Sequence, residues 1–197
     1  MKNGHWTGAA ALALLTIVST AHAQDTYTID PVHSSVGFKV KHMMVSDVKG
    51  EFGGFSGTVA LDPKNIEASS VDVTIDATTV STRNEKRDGH LKSADFFDVE
   101  KFPTITFKSK KITKKGEQWV AIGDLTMRGV TKEVELPFTL GGPLTLGNGS
   151  VIGVSASTEI NRQDFGVSWN KTLDAGGVVV SDKVRIEIEL EAKKASS

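Results

Sequence analysis

The chain has no cysteine among its 197 residues. Disulfides are therefore excluded, as are thiol nucleophiles and cysteine-rich zinc sites. Neither sign of charge is in excess: 23 Lys and Arg stand against 24 Asp and Glu. Nothing in that balance suggests a nucleic-acid partner or an anionic membrane surface. Nucleophilic hydrolysis has no signature either, because no Gly-x-Ser-x-Gly elbow occurs. A glycine-rich phosphate loop opening a helix is also missing. No metal is expected, since beyond the N-terminal segment only His33, His42 and His90 remain, and no two are spaced as a ligand pair.

Long apolar runs are scarce as well. The single one lies at the N-terminus, where Lys2 precedes an apolar stretch from Ala9 to Val18 and Ala21-His22-Ala23 offers small residues for cleavage. This pattern predicts a secretory signal peptide over residues 1–23 and a domain over residues 24–197. That span is one domain by size and long enough to bury a core. An exported protein without disulfides points to the bacterial periplasm. Beyond the leader no second apolar run predicts stable insertion into a membrane.

What the sequence has in quantity is β-strand alternation. Val71-Asp72-Val73-Thr74-Ile75-Asp76-Ala77 alternates strictly, and so does Val184-Arg185-Ile186-Glu187-Ile188-Glu189-Leu190-Glu191. Val36, Phe38, Val40 and His42 share one strand face; Val134, Leu136, Phe138 and Leu140 share another. Period two with one wet face predicts antiparallel sheet. Residues 117–127 carry apolar side chains on both faces, so that strand has no clear orientation. Turn residues separate the runs at Asp62-Pro63-Lys64-Asn65, Lys115-Gly116, Arg128-Gly129, Gly141-Gly142-Pro143 and Gly147-Asn148-Gly149. Gly53-Gly54 predicts a bulge that brings Phe52 and Phe55 to one side. About eight long strands result, which predicts an all-β, up-and-down, eight-stranded antiparallel barrel, with a two-sheet sandwich as its rival.

One stretch breaks the pattern. Thr82 to Lys92 is dense in charge and predicts a short helical excursion, with Thr82 and Glu85 as a capping box. Polar nearly all round, it belongs at a barrel end or flank, held by Leu91, Phe96 and Phe97.

The inward faces carry the candidate site. Val36, Phe38, Val40, Phe55, Val73, Ile75, Phe107, Phe138 and Ile188 form an apolar wall by parity. Pattern alone fits equally a barrel that these side chains fill and one where they surround a ligand. His42 and Arg162 sit at the ends of inward faces. Arg162 has two readings, a cation paired with Asp164 or a contact to the polar head of an apolar ligand, and Asp164 beside it is a head-group candidate in its own right. Arg87 and His90 are head-group candidates because the charged segment belongs at one end. Gly57, Gly153 and Ala156 leave room.

These residues resemble the YceI-like family. Asp30-x-x-His33-Ser34 with Phe38 and His42 is similar to its opening, and Gly50-x-Phe52-x-x-Phe55-x-Gly57 to its second strand. Its most distinctive segment resembles Thr82, Arg87-Asp88-x-His90-Leu91, Asp95-Phe96-Phe97-Asp98 and Phe102-Pro103-x-Ile105-x-Phe107-x-Ser109. Gly123-x-Leu125-Thr126-x-x-Gly129-Val130-Thr131 and Arg162-x-Asp164-Phe165-Gly166 complete the likeness. The resemblance implies a lipocalin-like periplasmic barrel that binds a polyisoprenoid, an isoprenoid quinone or a fatty-acid-like lipid, without cofactor or catalysis. The rivals are a filled-core stress or partner-binding module, and an enzyme acting through His90 on bound quinone. A homodimer through strand edges stays open, since nothing in the sequence specifies one.

Overall fold

The computed structural model describes residues 24–147, 149–174 and 176–194. The expected signal peptide lies outside them. The described strands are β1 Asp25–Ile29, β2 Ser35–His42, β3 Ser46–Phe52, β4 Phe55–Leu61, β5 Ser70–Asp76, β6 Val80–Ser81, β7 Thr104–Lys115, β8 Gln118–Met127, β9 Val130–Leu146, β10 Gly149–Asn161 and β11 Val180–Lys194. A single α-helix among the described residues, α1, spans Glu85–Lys92 between β6 and β7.

All pairings are antiparallel and the sheet closes on itself through β1 and β11. Three pairs of short strands are each one bent stave: β1 with β2, β3 with β4, and β5 with β6. With β7 to β11 they make eight staves in sequence order around the ring. Closure removes free sheet edges along the ring, which any open sheet of this length would expose.

The bends have local causes. Between β1 and β2, Pro31–His33 forms a 3-10 turn whose N-cap Asp30 accepts from the Val32 amide at 3.0 Å. β11 runs straight past this bend: the Glu191 carbonyl accepts the Asp30 amide at 2.8 Å, but its amide finds no backbone acceptor on the bent stave. The Ser34 hydroxyl oxygen takes the Glu191 amide at 2.9 Å instead. Between β3 and β4 the break falls at Gly53-Gly54. A Cβ on Gly54 would stand 3.1 Å from Thr79 Cγ2 and 3.2 Å from Asp76 Cβ, so the two bent staves approach where only glycine fits comfortably. The Gly54 amide donates to Thr79 Oγ1 at 2.9 Å, which ties this bend to the one between β5 and β6.

Two turn expectations are corrected. Gly141-Gly142-Pro143 is not a turn: β9 runs on to Leu146, and the irregularity is a register shift opposite Val151 and Gly153. The cap of α1 is Asn84, whose Oδ1 accepts from the Arg87 amide at 3.0 Å, rather than Thr82. Thr82 is buried and accepts Arg87 Nε at 2.7 Å on its hydroxyl, while its own amide donates to Asp88 at 2.7 Å. The charged segment thus folds back on its own first residue, which explains how a helix with no apolar face is held.

Candidate functional site

The barrel is hollow. A cavity of about 650 Å³ runs along its axis, lined on the strand walls by alternate inward residues. This size lies within the roughly 300–1,000 Å³ of ligand pockets. Val36, Phe38, Val40, Val73, Ile75, Phe107, Phe138 and Ile188 all line it. Phe55 does not. It shares the inward face of Val59 and Leu61 and pairs with Ile75, so its parity holds, but at the start of β4 it lies half-buried against the core and off the lining. Gly57 does not open the interior either: a Cβ there would lie 2.4 Å from the Asp72 carbonyl oxygen and 3.0 Å from Ile29 Cδ1. Gly153 is exposed, whereas Ala156 is buried and does line the cavity. The strand without a clear orientation, β8, turns Ala121, Leu125 and Met127 inward.

Polar lining gathers mainly at one end. There β2 ends at His42, the α1 cap Asn84 and the helix residues Lys86, Arg87 and His90 line the cavity, and the end of β10 leads into Arg162. Asn84, Lys86 and Arg87 are exposed as well as cavity-lining, so the cavity reaches the surface at α1. The other end is crossed by the 3-10 turn Ile66–Ala68, with Ser69 and Ser70 against the apolar wall.

An aromatic collar stands below the mouth. Phe38 meets Phe52 with centroids 5.9 Å apart, and Phe52 meets Phe97 edge-on at 5.7 Å. The His90 ring sits edge-on between Phe96 at 5.0 Å and Trp169 at 4.9 Å. Its Nε2 pairs with Asp95 Oδ2 at 2.8 Å. Val167, Trp169 and Val179 come from the segment between β10 and β11 and Val180 from the start of β11, and the strictly alternating runs of the sequence do not mark them as wall residues. The alternation Phe165-x-Val167-x-Trp169 was the signal that could have found two of them.

The candidate head-group residues divide sharply. Arg162 is 4% exposed, and its guanidinium donates to the carbonyls of Ser181 at 2.9 Å, Val167 at 2.6 Å and Val180 at 3.3 Å. Its carboxylate partner is Asp182, at 3.2 Å. Asp164 is exposed and off the cavity, so the expected pairing with Arg162 is corrected. Burial pulls the Arg162 guanidinium below its ordinary value, and Asp182 opposes this. Arg87 is likewise engaged, with Nη2 donating to the Thr82 carbonyl at 2.8 Å. Burial pushes the Asp88 carboxyl up, but hydrogen bonds from Thr82, Asn84 and Ser81 together leave it below the usual range. Among the described residues, His42 and Lys86 line the cavity without a hydrogen bond or ion pair from their side chains.

One acid–histidine group lies outside the cavity. Asp30, His33 and Glu191 bring three possible ligand atoms within 4.8 Å of one another. Lys193 Nζ already sits on Asp30 Oδ2 and lies 3.6 Å from Glu191. Lys193 and His33 together hold the Asp30 carboxyl far below the usual carboxylate range. The group works as an ion-pair clasp across the bend between β1 and β2.

A closed eight-stranded up-and-down barrel with an apolar cavity and a polar mouth defines the class of small-ligand-binding barrels. The YceI-like domain profile matches residues 27–192, and the chain belongs to that family. A UPF0312 protein of Staphylococcus aureus strain N315 is 36% identical over 167 residues, covering 84% of this chain and 95% of that protein. The Campylobacter jejuni YceI crystal structure is 36% identical, with a TM-score of 0.68 over 80% of this chain and 91% of that one. Burkholderia cenocepacia BcnA is 26% identical, with a TM-score of 0.72 over 83% of this chain and 98% of that one. A polyisoprenoid binding domain from Saccharophagus degradans is 15% identical with a TM-score of 0.60, over 86% of this chain and 98% of that one, a likeness of fold alone.

Proposed function

We propose that the protein binds one long apolar lipid, a polyisoprenoid or an isoprenoid quinone, along the barrel axis, and carries it through the periplasm after export. The observation that carries this is the cavity itself: about 650 Å³, walled by apolar side chains, with most of its polar groups at one mouth. A ligand with an apolar tail and a small polar head matches that distribution. The low-identity neighbour described as a polyisoprenoid binding domain supports the choice of lipid class. Arg162 and Arg87 are occupied by the protein's own oxygens, so the head group falls to His42 and Lys86. His90, paired with Asp95 and flanked by two aromatic rings, braces the collar.

The test is organic extraction of protein purified from its native host, followed by mass spectrometry. One isoprenoid lipid per barrel is the expected result. An extract without lipid, together with no uptake of farnesol, a short-chain ubiquinone or palmitate by the purified protein, overturns the proposal.

A further inference from the structure

The turn between β2 and β3 is unusual. It is closed by the Val45 amide donating to the His42 carbonyl at 3.1 Å, and both central residues have positive φ, 50° at Met43 and 64° at Met44. Turns of this kind strongly prefer Asn-Gly, because other side chains crowd their own backbone there. Here two methionines occupy them, followed by valine. All three are exposed, Met43 at 44%, Met44 at 63% and Val45 at 83%.

The hairpin behind this tip has two faces. On one, Phe38, Val40 and His42 line the cavity. On the other, Lys39 stands opposite Lys49 and Lys41 opposite Asp47. Lys39 at 3.0 Å and Lys41 at 2.8 Å share Asp47, and Lys49 stands on the same face, so three lysines face the two carboxylates of Asp47 and Glu51. The balanced charge of the whole chain hides this local excess. The tip also joins the cavity mouth: the Met43 amide donates to the Val179 carbonyl at 2.8 Å, and Val179 lines the cavity.

We propose that this hairpin docks the mouth of the barrel onto an anionic phospholipid bilayer. Met43, Met44 and Val45 enter the interface while Lys39, Lys41 and Lys49 meet lipid phosphates from their long apolar stems. The apolar tip lets a ligand pass from bilayer to cavity without crossing water. This docking role rests on the lipid-carrier reading for its purpose, though not for its geometry.

Vesicle co-flotation tests it on protein starting at Gln24, since the ring closes within Asp25–Lys194. The probes are phosphatidylglycerol-containing vesicles and pure phosphatidylcholine vesicles. Binding is expected to favour the anionic vesicles, to weaken with salt, and to fall roughly fivefold for each of Lys39→Gln and Lys49→Gln. The triple variant Met43→Asn, Met44→Gly, Val45→Ser gives the turn its preferred residues, so folding is kept. It is expected to lose vesicle binding about tenfold or more while still taking up short-chain ubiquinone. Vesicle binding by a parent protein that takes up no quinone supports docking and overturns the carrier reading instead. Equal vesicle binding by parent and triple variant overturns the docking role. So does parent protein that binds no vesicles, or that sediments as a dimer dispersed by the three substitutions.

Discussion

Replacing Ala156 by Phe separates a hollow barrel from a filled one. Ala156 lies on β10 between Phe138 of β9 and Ile188 of β11, and all three side chains line the cavity. In a close-packed core such a change forces neighbours off their rotamers and costs about 1–3 kcal/mol. Into an open apolar cavity the ring enters without displacing anything and buries its own surface, a gain of up to about 2 kcal/mol. The two cases differ in sign. Delipidated protein unfolded in urea reads the difference, because such energies move the midpoint by roughly 1 M at the usual slopes. The expected result is an unchanged or higher midpoint for Ala156→Phe without lipid. Ligand uptake should weaken at least about tenfold, equivalent to roughly 1.4 kcal/mol, because ring and lipid compete for one volume. A midpoint lowered by about 1 M in delipidated protein refutes the hollow-barrel reasoning.

Other substitutions test the supports of the mouth. Arg162→Met strands three carbonyls and Asp182 together, and should cost about 2–4 kcal/mol in thermal melts, with the segment between β10 and β11 becoming sensitive to protease. A neutral result would show that the guanidinium is not its anchor. Asp88→Ala leaves the buried Thr82 amide without its acceptor and should cost about 1.5–3 kcal/mol, measured by urea unfolding, with hydrogen exchange rising first in α1. Asp30 sets an acid limit. Its folded carboxyl is held below the usual range, so its contribution is complete above a pH of about 4 and fades as pH falls towards the folded value. Stability measured against pH should lose that acid slope in Asp30→Asn, and an unchanged slope would remove the clasp from the account.

How much of this was legible in the sequence follows from the range of each interaction. Strict alternation in 71–77 and 184–191 oriented β5 and β11, and it placed His42 and Arg162 on inward faces, because parity is a local property. Phe55 kept its inward parity opposite Ile75, but parity does not tell a side chain that packs into the core at a strand's start from one that lines the cavity. The partner of Arg162 failed for a different reason. Asp164 is near in sequence, but the helical turn Arg162–Phe165 points it outward, while β11 returns Asp182 to the guanidinium. β8 had no orientation on paper because Val120 and Ala121 are both buried, one on each face of the strand. The cavity was the least legible feature. Whether eight staves enclose a void depends on tilt and stagger around the whole ring, and no local pattern records these.

The energetics of an apolar ligand join the cavity to the hairpin tip. A chain of tens of carbons moved from water into the barrel would gain tens of kcal/mol at roughly 25 cal/mol per Å². No measured affinity reaches that, the ceiling being about 18–21 kcal/mol. Water is therefore the wrong reference, because such a lipid is already dry in a membrane. The cavity has to resemble the bilayer as a solvent, since a much better one would never release its ligand. With the end states nearly balanced, the barrier in between becomes decisive. A tail that crosses even a short layer of water meets the hydrophobic cost again for every exposed methylene, about 0.8 kcal/mol each. An apolar tip at the cavity mouth, flanked by lysines that seek lipid phosphates, removes that layer. The strained methionines of the β2–β3 turn are costly for folding, but they lie where exchange with a membrane would have its barrier.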